Sequence, residues 1–580
     1  MNENQKPQAH DEQGTDNGVY AKKTAKMIKT ITALVVVAVL VLNAIITVLG
    51  DAKLWYLDLT LTRYKSQTST MYSLSDECAD MVGAEAIPMI EQVNNERKAR
   101  GEDPIKVKIV FCADKDVIEN DTLMRYVSYT ARGLAKEYSK YIEVEYLNMA
   151  KNPSAVQKYK TTSAATIYNS DVIVEFGSEY LVQGINNFYY TESTADAPWA
   201  YNGEKKLTAM ILAVTRAEAP ICCITSNHGE TLFDENGEIK AEYSTFTQLI
   251  HGAGYVMQVI DLEKDEIPEN CRMMITFNPT EDFKAFGNLG ENNVSEIEKL
   301  DRYLDGANAF FYVFDATTPV LKNLEEYLDE WGVSVARVED NAGNAVNYAI
   351  EDKVNCTDSG VGNVVVGNYA TEGLGASLTK DMRARSYAPK VVFGNSSSIV
   401  PAANYHISYV MADDTTNTPA FSYYSYYKNG ISRNLLNIFT TYKTASALIG
   451  DEIYEIATEY NRFRLMTITQ EQRQVQDGNF SSVNQASYVL ALASTDFLKN
   501  DVLDSTAYGN TDVLLSALRN TGSVALPADI NLKAFYIYDV ENSKAYASVN
   551  TSAWFNCLTL IPPVAIFATG IVITIRRKYK

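Results

Sequence analysis

Two uncharged apolar runs, one near each end of the chain, restrict most strongly how this sequence can fold. The first covers residues 31–49 (ITALVVVAVLVLNAIITVL) and the second residues 558–575 (LTLIPPVAIFATGIVITI). A helix rises about 1.5 Å per residue, so about 20 apolar residues cross the hydrocarbon core of a bilayer. The sequence therefore predicts two membrane-spanning helices, at residues 29–50 and 556–575.

Flanking charge predicts the orientation of the two spans. Four lysines precede the first span, and a basic end that includes Arg576 and Arg577 follows the second. Short basic flanks stay on the cytoplasmic side of a membrane. Both termini are therefore predicted to be cytoplasmic, with residues 51–553 outside a bacterial cell. The polar residues 1–28 are predicted to form a disordered cytoplasmic tail, and residues 576–580 a basic cytoplasmic one.

A cleavable signal peptide is the alternative for the first apolar run. The apolar part of a signal peptide is about 7–15 residues long, and this run is longer. We therefore favour an uncleaved anchor.

Charge excludes one class of partner. The 580 residues carry a formal net charge of −21. An acidic surface repels the phosphates of nucleic acid and of anionic lipid. No nucleic-acid partner is predicted, and the body of the chain is expected to be held at the membrane by its anchors.

The part between the two spans is predicted to hold two α/β domains. The smaller one covers residues 54–215, where strand–helix–strand order favours a mostly parallel sheet, and a thioredoxin-like unit would fit. Its predicted elements are a helix at 76–100 that is capped by Ser73 or Ser75, a helix at 123–138, and strands at 105–111, 142–147 and 171–176.

The second domain, residues 216–540, shows repeated β/α units with Gly after several helices. This pattern predicts a doubly wound, flavodoxin-like sheet. Residues 340–480 are predicted to be an insertion in this domain. The predicted elements are helices at 243–251, 294–304, 320–331 and 512–518, and strands at 221–225, 255–262, 273–277, 310–314, 333–338 and 488–493.

Six short motifs follow one another between the two apolar runs. They are YSLS at 72–75, GEKKLT at 203–208, NHGE at 227–230, EKDEIP at 263–268 with NP at 278–279, ASTDF at 493–497, and YGNTD at 508–512. In this order they resemble the gliding-motility-associated ABC-transporter auxiliary family, also described as uncharacterised ABC-type transport-system proteins. Asn227 stands where that family usually has Gly, and residues 340–480 have no clear counterpart in it.

The resemblance implies a non-catalytic accessory subunit of an export-like ABC transport system. A separate ATPase and a polytopic permease would be its partners in the membrane. The chain itself lacks a G-x-x-x-x-G-K-[ST] phosphate-binding loop. No cofactor is predicted, because Gly373-Leu374-Gly375 lacks the third Gly of a dinucleotide fingerprint. No metal is predicted, because the cysteines and histidines are scattered.

One loop is a candidate ligand site. Asn227, His228 and Glu230 follow the first apolar strand of the second domain, at the end where doubly wound sheets bind ligands. Local backbone bonding by His228 and Glu230 is favoured over ligand contact. No catalytic residue is predicted.

A cysteine hydrolase of amidotransferase-like fold is a weaker alternative, suggested by Cys222 and Cys223 near His228 and Glu230. Both cysteines lie within an apolar strand, which is expected to bury them and raise their pKa values.

A cell-surface module that binds cell-wall glycan or peptide is the other alternative. The chain has 38 tyrosines, and the tract YYSYY occupies residues 423–427. Tyrosine has an apolar body and a polar tip, and it is therefore favoured at contact surfaces.

Overall fold

The computed structural model describes residues 73–534 with gaps, together with isolated residues between 23 and 38 and between 569 and 576. The gaps are 192–197, 199, 216–219, 286–294, 340–342, 359, 412–418, 429, 477–481, 523–529 and 531. Contacts divide the chain into two units, Met1–Lys533 and Ala534–Lys580.

Most residues of the two predicted spans, 29–50 and 556–575, lie outside the described residues, as do most of the two predicted tails. Those that are described, such as Ile31, Leu34 and Val572, are helical. Among the described residues, no helix is both long enough and apolar enough to cross a bilayer.

The first helical segment begins where the sequence predicts. Ser75 is the N-cap of α1 (Asp76–Met81), and its hydroxyl accepts the N–H of Cys78 at 3.2 Å. The segment continues through a π-helical turn, Val82–Ala86, into α2 (Ile87–Ala99). Gly101 then takes a positive φ of 79° and ends it. Of the two predicted caps, Ser75 is confirmed; the π turn was not predicted.

A four-stranded mixed sheet follows. Its strands are β1 (Val107–Phe111), β2 (Ile142–Tyr146), β3 (Asp171–Phe176) and β4 (Glu179–Gly184), in the order β2-β1-β3-β4. Helices α3 (Lys115–Asn120) and α4 (Met124–Glu137) cross from β1 to β2, which are parallel. Strand β3 is antiparallel to β1 and β4. The predicted mostly parallel sheet is therefore wrong, because β3 enters antiparallel to β1 and the two-residue turn at Gly177-Ser178 returns the chain as β4 in a hairpin.

Helix α5 (Gly203–Val214) comes after the short strands β5 (Tyr189–Tyr190) and β6 (Ala200–Tyr201). Eleven of its residues are buried, including three charged ones, Glu204, Lys205 and Lys206. The helix packs against the four-stranded sheet and against α1 and α4.

Five parallel strands form one half of a large sheet. They are β7 (Ile221–Thr225), β8 (Val256–Ile260), β9 (Cys271–Phe277), β10 (Ala309–Val313) and β25 (Ser482–Leu492), in the order β8-β7-β9-β10-β25. Helix α6 (Ser244–Gly252) joins β7 to β8, α7 (Glu296–Asp305) joins β9 to β10, and α8 (Lys322–Glu330) follows β10. These positions confirm the corresponding predicted strands and helices within a mixed α/β fold.

Four antiparallel strands form the other half of the same sheet. They are β19 (His406–Met411), β20 (Pro419–Lys428), β21 (Ile431–Thr440) and β24 (Arg464–Gln476), which continue the order as β19-β20-β21-β24-β25. Residues 340–480, predicted as an insertion, thus extend the sheet. They do so because β21 packs on both faces of the sheet. Leu435 and Leu436 are neighbours in the strand, and they lie in the apolar clusters on opposite faces.

The predicted strand at 333–338 does not join the parallel strands. It is split into β11 (Val333–Val335) and β12 (Arg337–Glu339), and each pairs antiparallel with a later strand. The split falls at Ala336, whose N–H donates to the carbonyl of Ser398.

The remaining elements are short. The strands are β13 (Ala345–Asn347), β14 (Ala349–Glu351), β15 (Val364–Val366), β16 (Asn368–Tyr369), β17 (Val392–Gly394), β18 (Ile399–Pro401), β22 (Ser446–Ile449), β23 (Glu452–Ile456) and β26 (Lys533–Ala534). The helices are α9 (Gly373–Leu378), α10 (Lys380–Arg383), α11 (Asn500–Leu503) and α12 (Asn510–Thr521). Short 3₁₀ helices lie at Pro153–Tyr159, Ile185–Phe188, Ala241–Tyr243 and Asp496–Leu498.

The core of the large sheet lies on both of its faces, because successive side chains of a strand point to opposite sides. Cys222 enters one apolar cluster, with Phe246 of α6 and Leu514 of α12. Cys223 enters the other, with Leu300 of α7. Helices therefore cover both faces, and the carboxyl ends of the parallel strands form one edge on which polar loops meet.

Candidate functional site

The predicted ligand loop follows β7 at the carboxyl edge of the parallel strands. His228 is 2% exposed and Glu230 is 4% exposed. Gly229 between them has a φ of +65°, and a Cβ atom there would lie 2.2 Å from the hydroxyl of Thr280. Only glycine fits this backbone, so the loop is held in a turn that directs both side chains inward.

His228 lies between two carboxylates. Its Nδ1 is 3.3 Å from Oε1 of Glu230, and its Nε2 is 3.1 Å from Oε2 of Glu296. The imidazole also stacks on Phe283, with the ring centroids 3.7 Å apart and the planes at 4°. Glu296 begins α7, directly after the N-cap Ser295. We call His228, Glu230, Glu296 and Phe283 the histidine clamp.

Asn227 completes the clamp. Its side-chain amide donates to Oε1 of Glu296 at 2.6 Å, and its carbonyl oxygen accepts the N–H of Leu262 at 3.1 Å. The other oxygen of Glu296 also accepts the N–H of Lys284 at 2.8 Å. All three predicted loop residues are therefore brought together. Glu296 and Phe283 were not predicted, because nothing in their local sequence marks either of them as a partner of a histidine.

The two carboxylates keep the imidazole protonated. Burial by itself lowers the pKa of His228, but hydrogen bonds to Glu230 and Glu296, and their charges, raise it to about 9. For Glu296, burial opposes ionisation, but the bond to His228 and its charge lower the pKa. A protonated imidazole has no free lone pair for a metal or a substrate proton. The clamp can therefore fasten the loop to α7, and the protonated imidazole does not offer a basic nitrogen.

The structure does not join the cysteines to this histidine. Cys222 and Cys223 are fully buried on opposite faces of β7. Burial raises the pKa of Cys222, while the contact with Cys271 and burial raise that of Cys223. With both ring nitrogens protonated, the His228 ring donates to the two glutamates of the clamp and not to a cysteine.

Further polar contacts run along the same edge of the sheet. Asn278 follows β9 and accepts the hydroxyl of Thr318, while its amide donates to Thr231 at 3.2 Å. Asp315 follows β10 and accepts the hydroxyl of Thr495, which follows β25, at 2.6 Å. Residues of the NHGE, NP and ASTDF motifs therefore all lie at the carboxyl edge. Among the residues that the structure covers, no group of His, Cys, Asp and Glu could hold a metal ion.

The first two motifs of the family resemblance meet although they are far apart in the chain. Glu204 of α5 accepts the N–H of Ser75 at 3.0 Å and its hydroxyl at 2.7 Å. Lys533 forms an ion pair with the same carboxylate at 2.6 Å. Glu204 is buried, so these partners neutralise a charge that is otherwise costly to bury.

The last motif also makes a tertiary joint. The side chain of Asn510 accepts the N–H of Val392 at 3.0 Å and donates to its carbonyl at 2.8 Å. Asp512 accepts the N–H of Thr166 and the hydroxyl of Tyr168, both at 2.9 Å. This motif thus connects α12 with β17 and with the segment before β3.

The tyrosine tract is only partly free for binding. It lies in β20, where Tyr424 accepts a hydrogen bond from Arg464 at 2.9 Å and Tyr426 stacks on Tyr405. Tyr427 is 75% exposed.

The Gly373-Leu374-Gly375 fragment has a packing role. A Cβ atom on Gly375 would lie 1.9 Å from the carbonyl oxygen of Asn437, so this glycine allows α9 to approach β21 closely.

Comparison with known proteins finds little. No family model and no curated protein matches the chain. One solved structure, described as the mmIFT52 N-terminal domain, is similar at 13% identity and a TM-score of 0.30; the match covers 50% of this chain and 93% of that one. A similarity at this level identifies neither a family nor a fold. The class shown by the structure itself is a mixed α/β protein with several sheets.

Proposed function

We propose that the chain is a membrane-anchored, non-catalytic accessory subunit of an export-like ABC transport system of the gliding-motility-associated auxiliary type. The observation that supports the proposal is that residues of the resemblance motifs form buried contacts within the protein. Ser75 pairs with Glu204, and His228 is enclosed by the clamp. Motifs that act as internal joints maintain a shape, which suits a docking or substrate-handling domain.

We also propose a flavodoxin-like fold for the large sheet. Numbered along the chain, the parallel strands of the large sheet follow the order 2-1-3-4-5, which is the flavodoxin-like order. The smaller sheet consists of a β-α-β unit followed by a hairpin and a helix, which supports a thioredoxin-like fold for the first domain. In flavodoxin-like sheets, ligands bind where the strand order reverses. Here that point lies between β7 and β9, and the clamp fills it, so we expect partners to use other surfaces.

The two apolar runs would anchor this domain outside the cell. An ATPase and a polytopic permease would supply the energy coupling and the translocation pathway, since the chain has no phosphate-binding loop.

Affinity purification of the tagged full-length chain in a mild non-ionic detergent tests the proposal. We expect an ATPase and a polytopic membrane protein to co-purify in constant ratio. A tagged two-span protein from an unrelated complex of the same cells is the matched control. Recovery of the chain alone, under conditions in which another ABC complex stays intact, would contradict the accessory role.

Protease added to intact cells tests the topology separately. We expect cleavage within residues 51–553 before lysis, because both termini are proposed to be cytoplasmic. If those residues are cleaved only after lysis, the orientation is wrong.

A cell-surface glycan- or peptide-binding module is the second candidate, favoured by the exposed side chains Tyr409 and Tyr427 on β19 and β20. Retention of the full-length chain on purified cell-wall material, reduced by Tyr427→Ala, would support it. The cysteine hydrolase remains the least supported candidate, and hydrolase activity that is unchanged by Cys222→Ala and Cys223→Ala would exclude a cysteine nucleophile there.

A further inference from the structure

Strand β23 is an edge strand with apolar side chains turned to solvent. It is the last strand of a three-stranded sheet in the order β14-β22-β23. Ile453 and Ile456 are each 59% exposed, and Tyr454 beside them is also exposed. Exposed apolar edge strands are usually short, charged or covered, because they invite pairing with another chain.

The register places both isoleucines on the outer face. Ala447 of β22 is buried and lies opposite Glu455, whereas Leu448 lies opposite Ile453 and Ser446 opposite Ile456. Directly opposed residues share a face, and successive residues alternate between faces. The irregularity in β23 keeps the two isoleucines together, so an apolar stripe crosses the outer face at Ala349, Leu448 and Ile453.

The backbone of β23 is open on its outer side. The N–H of Ala457 donates to the carbonyl of Ala445 at 2.9 Å. Bonded and non-bonded pairs alternate in an antiparallel ladder. The next pair, Ser446 and Ile456, is therefore non-bonded, and the N–H and C=O of Ile456 point to the open edge.

The charge at this edge is negative and unbalanced. Asp451 and Glu452 are exposed, and Glu455 accepts a hydrogen bond from Asn461 at 3.0 Å. The cations closest in sequence are used elsewhere: Lys443 and Arg462 both pair with Glu459. No ion pair among the described residues involves the three carboxylates.

We propose that β23 is a docking edge for an extended peptide segment of another protein, one in which basic and β-branched side chains alternate. Such a segment would add a fourth strand to the sheet, with its basic side chains near Glu452 and Glu455 and its apolar ones on the isoleucines. A second copy of this chain fits less well, because it would bring the glutamates of two β23 strands together. The inference does not depend on the proposed transport role.

Binding of a labelled synthetic peptide, TKVKVKT, to the full-length chain in non-ionic detergent tests this docking edge by fluorescence anisotropy. We expect saturable binding that weakens when ionic strength rises from about 0.05 M to about 0.5 M, since exposed charges are then screened. The peptide TEVEVET should not bind, and TKVPVKT should bind poorly because proline cannot donate to the ladder.

Variants of β23 locate the site. The double change Glu452→Lys with Glu455→Lys should weaken binding roughly tenfold, from the loss of two opposite-charge pairs and the gain of two repulsions. Ile453→Thr should weaken it at unchanged charge. The matched control is Ile407→Thr, on the edge strand β19, where the side chain is 52% exposed and should not matter.

Several results would overturn the proposal. They are equal binding of all three peptides, full binding by the charge-reversed variant, or equal loss with Ile407→Thr. Absence of saturable binding would do the same. Thermal unfolding of each variant shows whether a loss of binding reflects a loss of fold.

Discussion

For His228, the sequence predicts the position of the residue in the fold but not all of the side chains that surround it. The position of His228 after a short apolar strand predicts a loop at the carboxyl edge of a sheet, and the structure places it there. Glu230 lies in the same motif, but the other two ring partners, Glu296 and Phe283, were not predictable. Asn227 and Glu296 are 69 positions apart, and Phe283 belongs to a different loop. Local patterns carry no information about which distant side chain completes a buried pair.

Replacing the clamp histidine is expected to be severe. His228→Ala removes the cation that lies between two buried glutamates and leaves a cavity against Phe283. Breaking a buried ion pair costs about 3–5 kcal/mol, so we expect a loss of that order in the free energy of unfolding at pH 7. Denaturant unfolding measures it. His406→Gln, at an exposed histidine, is the control and should change little.

The same residue gives the stability a pH dependence of known sign. The folded-state pKa of His228 is raised from 6.5 to about 9, so the folded state holds the proton more tightly than the unfolded state. Its contribution is complete below about pH 6.5 and is lost as the pH rises through about 9. We expect the wild type to lose more stability between these pH values than His228→Gln. If the stabilities of the two proteins changed with pH in parallel, His228 would not be protonated in the folded state.

At the scale of elements, local signals predicted boundaries well. The N-cap at Ser75 and the end at Gly101 follow from capping chemistry that lies within a few residues. The short strands between 340 and 480 were missed. Those that pair outside the large sheet are three to five residues long, near or below the shortest run in which a period-2 pattern is recognised.

The two candidate caps can be separated by mutation. Ser75→Ala removes the hydroxyl that accepts from Cys78 and donates to Glu204. Loss of an N-cap costs about 1 kcal/mol, and the lost bond to a buried carboxylate should add to it. Ser73→Ala should be near neutral, because the bond to Ser73 found within the described residues is from Lys533 to its backbone carbonyl. Equal effects in thermal or denaturant unfolding would show that the cap is not the cause.

At the scale of the whole first unit, the two sheets are joined by hydrogen bonds from the segment before β3 to Asp381 and Asp512, and the buried carboxyl of Asp171 lies beside this joint. Asp171 of β3 is 4% exposed and accepts the N–H of Tyr168 at 2.8 Å. Burial raises its pKa to about 7; Tyr168 and Arg519 partly offset this, whereas Asp381 and Asp512 add to it. The carboxylates come from β3, α10 and α12, so the joint exists only when both parts are folded together.

Asp171→Asn tests this joint. A folded-state pKa raised from 3.8 to about 7 means that ionising Asp171 costs stability as the pH rises between these values. The amide keeps an oxygen for the N–H of Tyr168 and removes the charge. We expect the variant to be more stable than the wild type at pH 8 by roughly 1–3 kcal/mol, with a flatter curve from pH 5 to 8. Asp103→Asn, at an exposed site, should leave the curve unchanged.

The sequence by itself determined where most long helices and the five parallel strands lie, because capping and side-chain periodicity act over a few residues. It also predicted the loop that holds Asn227, His228 and Glu230. Only the tertiary structure decided that β3 is antiparallel, that the region from 340 to 480 extends the large sheet, and that Glu296 and Phe283 enclose the histidine. Those outcomes depend on which distant surfaces bury one another, a property that no short window of the chain contains.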